Sequence, residues 1–162
     1  MSDLAPLKAM RLPAEGGCSC GAVRFRVSAQ PILTAVCHCK GCQKLSASAF
    51  SLTIMVPQEG FAVTKGETVL GGNKRPEREH HHCPECHGWV FTRIPDRTPF
   101  VNVRPAMLDE PGDFVPFIET YTSVKLPWAD TPARHKFEQF PPREDFAPLL
   151  AEYATLIASE EC

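Results

Sequence analysis

The stretch GGCSCGAVRF, residues 16–25, combines two features from which the fold can be predicted. Its first half holds a Cys-x-Cys pair, Cys18 and Cys20, between glycines that permit the backbone dihedrals needed to turn both thiols the same way. From Ala22 to Ser28, apolar and polar residues alternate, which is the period of a strand with one buried face. The stretch therefore predicts a β-strand that directly follows a candidate metal-binding turn.

The same alternation recurs along the chain. It is clear over residues 50–56, and shorter apolar runs between Pro, Gly and Asp turn residues predict further strands. Many short strands in a chain with 16 prolines favour a mainly β fold over a helical bundle. The further strands are expected at residues 61–65, 89–93, 100–104 and 117–122.

Helical spacing is found only at the C-terminus, where a helix is expected near residues 145–158. Asp145 can cap its first turn, and Pro148 is tolerated because it would lie within that turn. The stretch GGNKRPEREHHH, residues 71–82, is rich in charge and imidazole, and its composition predicts a solvated loop between strands. The apolar residues at helical spacing are Phe146, Leu149, Leu150, Tyr153 and Ile157.

Length and charge exclude several classes of protein. A chain of 162 residues normally builds one domain. A net charge of -2 gives no field that would hold a nucleic acid backbone. No apolar run approaches the roughly 18 to 20 residues of a membrane-spanning helix, and the opening MSDLAPLKAMRLPAEGG lacks the apolar core of a signal peptide. These features predict a cytoplasmic protein.

The cysteines are then expected to be free thiols or metal ligands, because disulfides are rare in a reducing compartment. The chain has eight, and seven of them fall in three tight groups. The groups are Cys18 and Cys20; Cys37, Cys39 and Cys42; and Cys83 and Cys86.

Spacing divides these seven cysteines into four and three. The turn Cys83-Pro-Glu-Cys86 supplies half of a tetrahedral zinc site, and the pair at Cys18 and Cys20 is one source of the other half. Three cysteines remain in CHCKGC, residues 37–42. Structural zinc sites are usually filled by four protein ligands, whereas catalytic sites keep one position for water or substrate. The three-cysteine group is therefore the candidate reactive centre.

Other assignments of this group stay open at the level of sequence. A fourth protein ligand would make both sites structural, and the protein would then be a zinc-stapled binding module without catalysis. A redox pair at Cys39 and Cys42 would need to follow a strand inside a βαβ unit. An iron-sulfur cluster is a further alternative, but the cysteine spacings match neither common ferredoxin pattern. Candidates for a fourth ligand are His38, His87, one of His80, His81 and His82, and Cys162.

The succession GGCSCGAVRF, CHCKGC with Ser46 and Phe50 downstream, CPECHG, VNVRPAMLDEP and LPW resembles the glutathione-dependent formaldehyde-activating enzyme (GFA) family. The resemblance covers about residues 16–130. It implies a β-tent of packed antiparallel sheets, preceded here by an arm at residues 1–15 and followed by an extension at residues 131–162. In place of the family's usual glycines, this chain has Ala47, His87 and Ala106.

The resemblance also implies two zinc ions and a carbon-sulfur lyase activity. One zinc would be structural at Cys18, Cys20, Cys83 and Cys86, and the other would be catalytic at Cys37, Cys39 and Cys42. Family members are associated with joining formaldehyde to glutathione. A small-molecule thiol and a small aldehyde are therefore the expected partners.

Charge indicates what three thiolates would do to zinc. Together they leave the ion with one net negative charge, so it is a poorer Lewis acid than zinc held by imidazoles. Binding a fourth sulfur, from the substrate, is a more natural use of the open position than activating water. Proton transfer then falls to His38, Lys40 or Ser46, which are nearby in sequence. Cations that can hold the carboxylates of glutathione are Lys44, Arg93 and Arg104.

Overall fold

The computed structural model describes residues 6–75, 77–95 and 99–159. These residues form two compact units, each built from separate stretches of the chain. We call residues 10–31 and 53–112 the sheet unit, and residues 6–9, 32–52 and 113–159 the helix unit. The predicted division into an arm, a zinc-binding domain and an extension stays a prediction.

The sheet unit contains two antiparallel sheets, with strand orders β1-β2-β5 and β4-β9-β8-β7-β6. Phe61 joins them by packing on Phe91 of the other sheet, with ring centroids 4.8 Å apart, and Phe25 packs on Phe61 within its own sheet at 5.5 Å. All three side chains are buried, and each contributes about 1.5–3 kcal/mol through its burial. The strands are β1 (Ala14–Gly17), β2 (Arg24–Val27), β4 (Ser51–Pro57, whose first two residues belong to the helix unit), β5 (Phe61–Lys65), β6 (Val69–Arg75), β7 (Arg78–His82), β8 (Trp89–Arg93) and β9 (Phe100–Val103).

The helix unit combines three strands with two helices. Its strands lie in the order β11-β10-β3 and pair in parallel. Parallel pairing is possible because long connections separate these strands in sequence. The C-terminal helix buries Leu149, Tyr153 and Ile157, and the Tyr153 ring packs 5.4 Å from that of Phe117. The elements are β3 (Leu33–Cys37), α1 (Lys40–Ser46), β10 (Ile118–Thr120), β11 (His135–Lys136) and α2 (Phe146–Ser159).

The mainly β fold with a C-terminal helix is confirmed. The strands predicted at residues 61–65 and 89–93 match β5 and β8 at both ends, and α2 begins one residue after the predicted start. Pro148 is the third residue of α2, where its missing N–H breaks no helical hydrogen bond. The parallel pairs of the helix unit differ from the antiparallel sheets that the resemblance implies.

The prediction of a loop at residues 71–82 is wrong, because these residues lie mostly in β6 and β7, which pair antiparallel. The imidazoles pack as aromatic rings. His80 lies edge-on to Trp89 at 5.2 Å, and His81 stacks on Phe91 at 4.3 Å. The prediction was based on composition, from which these histidines were taken to be solvated.

Two of the elements that the sequence did not predict lie at the motif CHCKGC. The helix α1 has only seven residues and buries none of them, so it carries no apolar period that a sequence pattern would detect. The strand β3 was not recognised, because its last residue, Cys37, is also the first residue of the cysteine motif. No helix among the described residues is long and apolar enough to cross a membrane.

His80 makes the stability of the sheet unit depend on pH. Burial, followed by the nearby charges of Arg104 and Arg78, lowers the pKa of His80 from about 6.5 to about 4. The unfolded chain therefore binds a proton below about pH 6.5, whereas the folded chain does not until about pH 4. We expect stability to fall by about 3 kcal/mol across this window.

Denaturant titrations at several pH values check this expectation. In His80→Gln, the free energy of unfolding should lack the part of its fall that His80 causes. The part caused by carboxylates is common to both proteins and cancels in their difference. Parallel stability curves for the two proteins between pH 6.5 and pH 4 would contradict it.

Candidate metal centres

Four cysteine sulfurs converge in the sheet unit. The Sγ atoms of Cys18, Cys20, Cys83 and Cys86 all lie within 4.8 Å of one another. The Sγ of Cys20 lies 3.5 Å from that of Cys18 and 3.7 Å from that of Cys83. Zinc–sulfur bonds of about 2.3 Å in a tetrahedron place sulfurs about 3.8 Å apart. These spacings fit a single zinc ion held by four thiolates.

The glycines around Cys18 and Cys20 shape the first half of this group. A Cβ on Gly17 would lie only 2.4 Å from the Val23 carbonyl oxygen, and Gly21 has a positive φ of 74°. The N–H of Val23 donates to the Sγ of Cys18 at 3.2 Å. Close backbone approach and left-handed backbone, which glycine provides, thus turn both thiols inward.

The second half is the turn between β7 and β8. The N–H of His87 donates to the Cys83 carbonyl at 3.0 Å, and His87 has a positive φ of 58°. The N–H of Gly88, followed by the Ser19 hydroxyl, lowers the pKa of Cys86 to about 6. These donors favour the thiolate, which is the form that binds a metal.

Three cysteine sulfurs converge in the helix unit. Cys37 ends β3, Cys39 caps α1 and Cys42 lies in its first turn, and their Sγ atoms lie within 4.8 Å of one another. The N–H of Cys42 donates to the Sγ of Cys39 at 3.3 Å. Hydrogen bonds from the thiols of Cys37 and Cys42 lower the pKa of Cys39 to about 2, and the same cluster raises the pKa of Cys37. These donors favour the thiolate form of Cys39.

No fourth Cys, His, Asp or Glu side chain joins this group among residues 6–75, 77–95 and 99–159. The candidate histidines His80, His81, His82 and His87 lie in the sheet unit and are not part of it. Cys162 lies outside the described residues. Among the described residues, three half-buried sulfurs thus form a donor set that could hold a metal ion.

His38 lies between two of these cysteines in sequence, but its side chain is completely buried. Its Nε2 is 2.7 Å from the Oε1 of Glu119, and its ring lies edge-on to that of Phe50 at 5.3 Å. Its Nδ1 is buried and has no hydrogen-bond partner among the described residues. Sequence reasoning did not find Glu119, because 81 residues separate it from His38 and no motif surrounds it.

The other residues predicted to take part in catalysis or substrate binding are divided between the two units. Lys40 contacts the Val124 carbonyl at 3.5 Å, and the Ser46 hydroxyl contacts the carbonyls of Cys42 and Phe50. Lys44 is exposed on α1. In the sheet unit, Arg104 stacks on Trp89 at 4.1 Å, and Arg93 lies 5.6 Å from the Phe91 ring centroid.

Ala47 ends α1 in a strained conformation. Its φ of 48° and ψ of 41° are left-handed, which costs an L-residue about 1–2 kcal/mol. The side chain is exposed, so removing it loses no packing. We expect Ala47→Gly to stabilise the helix unit by about 0.5–1 kcal/mol, after allowing for the extra freedom of glycine in the unfolded chain. Urea denaturation of the two proteins measures the difference, and a destabilised variant would contradict the expectation.

A mainly β chain with two cysteine groups that could each hold a metal ion has the features of a zinc-type β protein. The family model described as glutathione-dependent formaldehyde-activating enzyme matches residues 13–124. The chain therefore belongs to this family, and its membership supports a function of the same kind.

No curated protein matches the chain. Among solved structures, the crystal structure of a Rhodobacter sphaeroides protein, a structural genomics target, is similar at 19% sequence identity with a TM-score of 0.48. That match covers 59% of this chain and 87% of the other.

Proposed function

We propose that the chain is a zinc-dependent carbon-sulfur lyase that forms or cleaves a thiol–carbonyl adduct such as S-(hydroxymethyl)glutathione. The observation that carries this proposal is the group of Cys37, Cys39 and Cys42, which gathers three sulfurs and no fourth Cys, His, Asp or Glu side chain from the described chain. The family's description names both glutathione and formaldehyde. A thiol and a small aldehyde are therefore the proposed substrates.

The donor chemistry of both cysteine groups fits zinc. Thiolates are soft ligands that favour zinc over magnesium or calcium. The group of Cys18, Cys20, Cys83 and Cys86 would hold a structural ion. At Cys37, Cys39 and Cys42, a bound zinc would supply a position at which the substrate sulfur is stabilised as its thiolate.

The surrounding residues would bind the substrate and handle its proton. His38 remains the proposed proton-transfer residue, because its buried Nδ1 lacks a partner in the described chain. The Ser46 hydroxyl already contacts two carbonyls, which makes it a weaker candidate. Lys44 is exposed on the helix that carries Cys42, and we propose that it holds a carboxylate of the thiol substrate.

The proposed location is the cytoplasm. All seven cysteines of the described chain are free, although the Sγ atoms within each group lie close together. Free thiols need a reducing compartment to persist. Glutathione is also a cytoplasmic reductant, so substrate and protein would meet there.

A panel of thiols and aldehydes tests the activity. Zinc-loaded protein is mixed with each pair, and adduct formation and cleavage are followed by NMR against the spontaneous rate. We expect at least one pair to exchange faster with the protein than without it, and chelation of zinc to abolish the difference. If no pair exceeds its spontaneous rate while both zinc sites are filled, the lyase proposal fails.

Cys162→Ser is the matched control for this experiment. A fourth ligand from Cys162 would complete the three-cysteine group and favour the non-catalytic binding module. The lyase proposal expects unchanged zinc content and activity in this variant. A lower zinc content would favour the binding module.

A further inference from the structure

Glu119 carries a carboxylate with no exposure to solvent, on the middle one of the three strands of the helix unit. It lies in the middle of β10, opposite Val36 of β3 and Lys136 of β11. A buried carboxylate costs several kcal/mol unless its partners compensate. An apolar side chain would fill a buried strand position without this cost, so the contacts of Glu119 are informative.

Both carboxylate oxygens have a basic neighbour. Oε1 lies 2.7 Å from Nε2 of His38, and Oε2 lies 3.3 Å from Nζ of Lys136. The side chain of Lys136 is about half exposed, whereas that of His38 is fully buried. The carboxylate thus connects a surface ammonium group to an imidazole inside the protein.

The imidazole belongs to the loop that carries two of the three clustered sulfurs. The N–H of His38 donates to the Thr120 carbonyl at 3.0 Å, and its own carbonyl accepts from Nε2 of Gln43 at 2.7 Å. With Glu119 holding the ring, three separate contacts fix this single residue. Its two neighbours in sequence are Cys37 and Cys39.

We propose that Glu119 is a positioning residue for the three-cysteine group. By accepting a hydrogen bond from the His38 ring, it holds the loop in the conformation that brings the sulfurs of Cys37 and Cys39 to one point. This inference rests on the proposed function in one respect, namely that a metal occupies the group. Hydrogen bonds to the metal ligands themselves typically change the affinity of a site about 10–100-fold, and we expect a change within this range from Glu119, which acts through the residue between two ligands.

Zinc release from the loaded protein tests the proposal without measuring activity. A chromophoric chelator is titrated into the protein, and the two zinc ions are expected to leave in two steps. Cys39→Ser lacks one of these steps and so identifies the ion held by the three-cysteine group. The second step, from the four-cysteine group of the sheet unit, serves as an internal reference.

Three substitutions separate positioning from other effects. Glu119→Leu removes the acceptor, and we expect the three-cysteine zinc to be released with about 10–100-fold weaker affinity. Glu119→Asp keeps the charge but moves the carboxylate away from His38, and we expect about a tenfold weaker zinc affinity. This variant tests the proposal if Glu119→Leu does not fold. Glu119→Gln keeps an acceptor for the ring N–H and is expected to restore most of the affinity.

The matched control is Glu152→Leu. Glu152 pairs with His135 at 2.9 Å in the same unit, but that pair is partly exposed and has no part in the cysteine loop. Unchanged zinc affinity in folded Glu119→Leu and Glu119→Asp overturns the proposal, as does an equal change in Glu152→Leu or in the four-cysteine step. A wild-type protein whose three-cysteine group holds no zinc overturns both this inference and the proposed function. A zinc-loaded protein without lyase activity overturns only the latter.

Discussion

Replacement of Cys39 by Ser should lower the rate of adduct formation by about a thousandfold or more while the protein stays folded. Hydrogen bonds from Cys37 and Cys42 lower the pKa of Cys39 to about 2, whereas the pKa values of Cys37 and Cys42 are raised, so Cys39 is the natural first ligand of a metal at this group. A serine hydroxyl is a poor substitute for a thiolate on zinc. The stabilisation that a metal gives to developing charge is worth several kcal/mol, and a loss of about 4 kcal/mol corresponds to about a thousandfold in rate.

The measurement is the exchange rate of the best thiol and aldehyde pair, together with circular dichroism and zinc content. The variant should contain one zinc ion fewer per chain and keep its secondary structure. Full activity in a protein that has lost this zinc would show that the chemistry occurs elsewhere.

Cys83→Ser should instead unfold the sheet unit. Cys83 is completely buried, and its N–H pairs with the Gly88 carbonyl at 3.0 Å, so both its sulfur and its backbone hold the turn between β7 and β8. Zinc binding to a structural cysteine site contributes about 10–16 kcal/mol, which is comparable with or exceeds the whole stability of a typical domain, about 5–15 kcal/mol. Losing one of four ligands removes enough of this energy to leave the unit unfolded.

Tryptophan fluorescence can follow this unit selectively. Trp89 is buried in the sheet unit, whereas Trp128 is 73% exposed in the helix unit. In a Trp128→Phe background, the emission of Trp89 should shift to longer wavelength in Cys83→Ser and stay unshifted in Cys39→Ser. Equal shifts in both variants would count against a division into a structural and a reactive group.

The parts of the molecule that sequence predicted best are those with a local cause. Cysteine spacing divided the sulfurs into four and three, and the structure brings together the same two sets. Alternation at residues 22–28 predicted the strand β2, where Phe25 and Val27 are buried and Arg26 is exposed. Both patterns reflect short-range geometry, which is present in the sequence itself.

The parts that sequence missed have a distant cause. The contact between His38 and Glu119 joins the residue that follows β3 to a residue of β10, and the parallel pairing of these two strands leaves no signal near either residue. The histidines of β7 were assigned to a solvated loop because their packing partners, Trp89 and Phe91, lie on the neighbouring strand. Tertiary packing overrides composition at these positions.

The central claim is that the group of Cys37, Cys39 and Cys42 leaves a coordination position for an outside thiol. Cadmium NMR of the protein with both zinc ions replaced tests it most directly, because the cadmium chemical shift depends strongly on the number of sulfur ligands. The account predicts two resonances, of which only that of the three-cysteine group moves to a four-sulfur shift when glutathione is added. Two four-sulfur resonances before any thiol is added, or a three-cysteine resonance that glutathione leaves unmoved, would contradict the account.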